Sequence, residues 1–255
     1  MLLEPAVGAV LALLLLPLPV GAGSSQRQVL LWASHPCTTM WPWPTRCNST
    51  MLTTFLHDLE PLRGVVDRVA VNGYYIADPE NSSAVVSNGG LVRLGNDVPA
   101  VVTALQGAGF GVEPLVGNGP PTRYLPPRGL PRQVGSSIDR FRPYLRQPAL
   151  RSALARACAA EVAALNLSGL NFDLEFSDCG PDCSSTPHCG RQGSAKCNTT
   201  TDGAGLVALV TATRNLLAAR GARLSVDAGQ CPLTWGNIIN QSDADTLITM
   251  GTVSL

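Results

Sequence analysis

Charge is what this sequence has least of. Charged residues make up 14% of the 255, against about 25% in ordinary soluble proteins. The 18 Lys and Arg are balanced by 18 Asp and Glu. So sparse and even a set leaves no basic face for a nucleic acid. With 45% apolar residues, a chain disordered throughout is excluded too. No Gly-rich phosphate loop follows the first strand-like run; Ser34 to Cys47 reads SHPCTTMWPWPTRC instead, which weighs against nucleotide binding. There is no Gly-x-Ser-x-Gly elbow and no Ser/His/Asp order, so a serine hydrolase is disfavoured.

Long apolar runs are also scarce. The one present is Val10 to Leu16, VLALLLL, broken by Pro17 and Pro19 and followed by the small residues Gly21 and Ala22. This pattern reads as a signal peptide over residues 1–22, although Glu4 stands where a basic residue is usual. The prolines leave far fewer than the ~20 apolar residues of a membrane span. The expected mature chain, 23–255, is therefore secreted, or delivered to a lysosome or vacuole, with no membrane attachment after cleavage. In an oxidising compartment the eight cysteines (Cys37, Cys47, Cys158, Cys179, Cys183, Cys189, Cys197 and Cys231) are expected as disulfides. Asn48, Asn81, Asn166, Asn198 and Asn240 each open an Asn-x-Ser/Thr glycosylation triplet.

The rest alternates short β-branched runs with longer helical patterns. Strands are expected at 28–33, 65–76, 111–116, 170–176, 223–228 and 246–250. Helices are expected at 51–62, 98–108, 148–165 and 203–219, with a short one near 233–239 and a polar, Pro-rich loop ahead of Pro148. Strand–helix alternation implies a parallel α/β sheet, either doubly wound or a (β/α)8 barrel. At the pace of these six strands, eight βα units need roughly 310 residues. A barrel reading therefore makes the chain a partial TIM-type barrel, six of eight units, which looks truncated and poorly stable alone.

The informative segment is Ser168 to Phe176, SGLNFDLEF. Side chains alternate across a strand, so Asn171, Asp173 and Glu175 share one face and Leu170, Phe172, Leu174 and Phe176 the other. The apolar row suits a helix layer, and the polar row then points into the barrel. Glu175 falls at the carboxyl end of the strand, where barrel active sites lie, and Asp173 about 7 Å deeper. Two carboxylates in a dry site resist double ionisation, which keeps the outer one protonated and able to act as a general acid.

That window resembles the D-G-x-D-x-D-x-E motif on the fourth strand of family 18 glycoside hydrolases, the chitinase-like barrels. Gly169, Asp173 and Glu175 match, whereas Ser168 and Asn171 depart. Asn171 at the second acidic position is most similar to the di-N-acetylchitobiase branch, G-I-N-I-D-I-E. Pro148–Arg151, Leu206–Val210 and Leu224–Asp227 fall where that branch has similar elements, and Met250 matches the Met of M-x-Y-D. The resemblance implies retaining hydrolysis of β-1,4-linked N-acetylglucosamine in which the substrate's own acetamido oxygen is the nucleophile. Glu175 would then be acid and base, Asp173 would orient the acetamido group, and Asn171 would hydrogen-bond Asp173. After Met250 the chain reads GTVSL, without the Tyr and Asp of that motif.

Other candidates are weaker. Cys179, Cys183, Cys189 and Cys197 with His188 form a loop just after Glu175; their spacing and the compartment favour disulfides over zinc, and four cysteines allow three pairings. Nothing calls for a metal or cofactor. Trp41 and Trp43, bracketed by Cys37 and Cys47, are candidates to stack on sugar rings or simply to cover a loop. Asp227 either points inward near Glu175 or caps the turn at Pro232. Asn72 and Tyr74 are candidate wall residues on the second strand. The expected partner is an N-acetylglucosamine oligosaccharide, and the competing function is a catalytically inactive carbohydrate-binding protein on the same fold.

Overall fold

The computed structural model of the protein describes residues 29–33, 49–77, 88–95, 97–117, 137–173, 199–227 and 253–254. β1 (Leu30–Ala33) is followed by α1 (Ser49–Leu59), a 3-10 turn (Glu60–Leu62) and β2 (Arg68–Ile76). Next come β3 (Leu91–Arg93), α2 (Val98–Gly107), β4 (Gly111–Val112) and β5 (Leu115–Gly117). The remaining elements are α3 (Ser137–Arg146), α4 (Pro148–Leu165), β6 (Gly169–Asp173), α5 (Thr199–Ala218), β7 (Arg223–Asp227) and β8 (Val253–Ser254).

β1, β2, β5, β6, β7 and β8 lie side by side in that order, each parallel to the next. A doubly wound sheet reverses its order part-way along; this one never does. It is a curled, parallel half-barrel in a mixed α/β fold, consistent with part of a TIM-type barrel. β4 adds to β2 below β5, and β3 pairs antiparallel with β2.

The apolar half of each strand builds the layer between sheet and helices. Val69, Val112, Val116, Leu170, Phe172, Leu224 and Val226 are all buried and occupy matching register positions from β2 to β7. Leu154, Ala155, Cys158, Ala159 and Val162 form the buried stripe of α4, at the spacing of one helical face. α4 stops at Asn166, whose φ of 49° is the left-handed conformation that ends many helices.

The sequence expectations and the structure part in five places. The strand expected over 111–116 is split in two around Glu113 and Pro114, because Pro114 has no N–H for a ladder. The loop expected before Pro148 contains α3, and its buried Phe141, Tyr144 and Leu145 have helical spacing. β3 was not foreseen. The strand paired to β7 is Val253–Ser254, while the stretch 246–250 lies outside the described residues. Cys158 is not in a disulfide: it is a free, fully buried thiol, packed as a small apolar side chain on the inner stripe of α4. Burial pushes its thiol up to about 12. The other seven cysteines lie outside the described residues. Within those residues no helix is long and apolar enough to cross a membrane.

Candidate active site

The concave face of the sheet carries two levels of side chains. The deeper level runs Asn72, Leu115, Asn171, Ser225 across β2, β5, β6 and β7, each the register partner of the next. The level above it, nearer the carboxyl ends, runs Tyr75, Gly117, Asp173. Carrying the β6–β7 register on by one residue sets Asp227 beside Asp173, and Asp227 pairs with Ser254 of β8. The structure thus brings Asn171, Asp173 and Asp227 onto adjoining positions at the carboxyl end of the sheet. In barrels that end is where chemistry is placed.

A polar cluster closes the floor beneath them. Glu113, between β4 and β5, is 0% exposed. Its Oε1 pairs with Arg68 Nη1 at the start of β2. Its Oε2 lies 3.4 Å from Ser225 Oγ, and Asn171 Nδ2 donates to that same Oγ at 2.8 Å. A buried carboxylate without a partner would be costly, and Arg68 supplies the opposite charge. Gly169 makes room for the cluster: a Cβ there would sit 3.1 Å from Glu113 Cδ and 2.5 Å from the Arg223 carbonyl oxygen. The floor explains chemically why the segment before Asn171 has glycine at 169.

Tyr74 points the other way. Between Asn72 and Tyr74 the pairing with β5 slips by one, so that Asn72 faces Leu115 while Tyr74 faces Val116. The extra residue, Gly73, packs so tightly on Pro114 that a Cβ would come within 2.7 Å of the proline Cβ. Such a bulge swaps the faces beyond it. Tyr74 therefore joins the helix side, is 2% exposed, and donates its hydroxyl to Glu161 Oε2 of α4 at 3.0 Å. Arg93 of β3 binds the same carboxylate at 2.9 Å. Burial first, and then Glu161, push the Tyr74 phenol above its ordinary range. The inward position that alternation alone gives to Tyr74 belongs to Tyr75.

Glu175, Met250, Trp41 and Trp43 lie outside the described residues, as do the cysteine loop and His188. Among the described residues no group of His, Cys, Asp and Glu is placed to hold a metal ion. Four residues of the concave face were not foreseen: Arg68, Glu113, Ser225 and Tyr75. Of these only Glu113 left a signal, as a lone acid in the apolar run Gly-Val-Glu-Pro-Leu-Val.

No protein-family model matches this chain, and no curated protein matches it significantly. Among solved structures it is similar to the spore cortex-lytic enzyme SleL of Bacillus cereus, at 9% identity and a TM-score of 0.50, over 82% of this chain and 37% of that one. SleL of Bacillus megaterium is similar at 11% identity and a TM-score of 0.49, over 85% of this chain and 38% of the other. A chitinase from Chromobacterium violaceum is similar at 14% identity and a TM-score of 0.46, over 72% of this chain and 46% of that one. The chain spans less than half the length of each of these. At 9% identity the likeness to the first of these is one of fold alone.

Proposed function

We propose that this chain is a glycoside hydrolase acting on β-1,4-linked N-acetylglucosamine. The observation that carries the reading is the placement of Asn171 and Asp173 on the concave side of a one-directional parallel sheet, at its carboxyl end. That is where the motif SGLNFDLE needs them. Glu175, two residues further along the sequence, is the proton donor to the leaving oxygen and afterwards the base for water. Asp173 orients the substrate's acetamido group, whose oxygen attacks the anomeric carbon. The glycosidic bond breaks as the new carbon–oxygen bond forms, and water then restores the free sugar with retained configuration. Asn171 supports Asp173 from below. The Asn at position 171, as in the chitobiase-type motif, suits short chitin-type substrates. The leader over 1–22 suits a secreted or lysosomal place of action.

The test is turnover of 4-nitrophenyl N,N′-diacetylchitobioside by the full chain. Glu175→Gln and Asp173→Asn are each expected to lose at least about 100-fold in kcat. Wild-type-like turnover in either variant rejects the assignment. A second reading, a carbohydrate-binding protein without hydrolysis, is favoured by the sequence after Met250, which lacks the expected Tyr. Binding of chitotetraose without any cleavage would select it.

A further inference from the structure

We propose that Ser225, under the hold of Glu113 and Arg68, is a positioning residue that fixes which end of the Asn171 amide is turned toward the catalytic carboxylates. The inference rests on the role given to Asn171 and Asp173 above.

The argument starts from how many protons are available. A serine hydroxyl has one to donate, and a carboxylate has none. Glu113 is fully buried, with Arg68 on one oxygen and Ser225 Oγ facing the other. Ser225 therefore gives its proton to Glu113 and meets Asn171 as an acceptor. The Asn171 group 2.8 Å away must then be the NH2, although the two ends of an amide have the same shape. The Asn171 carbonyl oxygen is turned away from Ser225. An amide oxygen pairs with a protonated carboxyl, whereas an amide NH2 pairs with an ionised one.

Asp173 follows Asn171 by one pleat on the same face. The charged groups on the elements packed against Asn171 are Arg68 from β2, Glu113 from the β4–β5 link and Asp173 on its own strand, with Asp227 at the next register position of β7 and, by sequence, Glu175. Of these, Glu113 faces Ser225 Oγ. A buried ion pair at the floor thus sets the polarity of the neutral amide that lies one pleat below Asp173.

Three variants separate this from simple packing. Ser225→Ala removes the acceptor and is expected to lower kcat about tenfold with KM unchanged. Ser225→Thr keeps the hydroxyl and is expected to restore kcat. Glu113→Gln keeps the shape but offers Ser225 a donor, which lets the serine proton turn to Asn171 and reverses the amide; kcat per folded molecule should fall as in Ser225→Ala, with a loss of stability as well because Arg68 loses its counter-charge. Wild-type kcat in Ser225→Ala, or equal losses in the Thr and Ala variants, would overturn the proposal. A second measurement needs no turnover. In chain labelled with 15N-asparagine, the Asn171 side-chain amide is identified by its absence in Asn171→Asp. It is expected to exchange slowly in wild type and in Ser225→Thr, and fast in Ser225→Ala. Unchanged slow exchange in Ser225→Ala overturns this inference, whereas absence of glycoside turnover by the wild type overturns the catalytic reading.

Discussion

Tyr75, Gly117 and Asp173 define the level of the concave face nearest the carboxyl ends, and the first two carry different expectations. Tyr75 is an aromatic on the same level as Asp173, with Gly117 between them, placed where a ring can stack on a sugar; Tyr75→Ala should raise KM severalfold with a smaller effect on kcat, read from steady-state kinetics. A Cβ on Gly117 would meet only ordinary contacts, 3.9 Å from the Asp173 carbonyl oxygen. Gly117→Ala should therefore fold normally, while Gly117→Leu should fold yet exclude the substrate. Cys158 gives a pH prediction. Its thiol titrates at about 12 in the folded protein and at 9.0 when exposed. Its folded pKa is raised, so the stability it contributes is intact below 9.0 and is lost as pH rises toward 12. The loss is roughly 1 kcal/mol per pH unit. Tyr74, raised by burial, acts in the same direction above its ordinary range. Urea unfolding at pH 8 and pH 10.5 should show a smaller drop for Cys158→Ala than for wild type. The alternation of Asn171 and Asp173 was legible because β6 is regular. Tyr75 was not, since a bulge two residues earlier, at Gly73, reverses the faces.

Elements with a clean apolar period were legible nearly to the residue, and α4 is the plainest case, running from Pro148 to Leu165 as expected. α3 was hidden because Pro143 lies inside it and charged residues surround its three core side chains. Its place is fixed instead by ion pairs that no local pattern reveals. Arg142 Nε and Arg146 Nε donate to the two oxygens of Asp202, at 2.8 and 2.7 Å, and Asp202 is 2% exposed near the start of α5. Removing one partner of such a buried set leaves charge without compensation. Asp202→Ala should cost about 3 kcal/mol, measured by denaturant unfolding, and loosen α3 from α5. Asp202→Asn, which keeps two acceptor sites on one oxygen, should cost less. The β2 bulge can be tested by deletion. Loss of Gly73 places Tyr74 directly after Asn72 in a regular strand, so Tyr74 should stay on the helix side with its hydrogen bond to Glu161, and Tyr75 on the concave side.

At the scale of the whole molecule, the sheet's middle strands are covered on both edges and its outermost described strands are not. Backbone amides of β2, β5, β6 and β7 should exchange with solvent most slowly, and those of β1 and β8 faster; hydrogen exchange followed by mass spectrometry reads this directly. The choice between an open sheet and a barrel could not be made from periodicity, because both alternate strand and helix. It is made by strand order, a property of how units meet rather than of any one unit. That order has a temporal side. Among the described residues, each strand of the parallel path is laid against one synthesised earlier, so a chain emerging from the ribosome meets its docking edge already in place. Assembly can then keep pace with translation, and no early segment must wait exposed for a late one to be threaded between its neighbours.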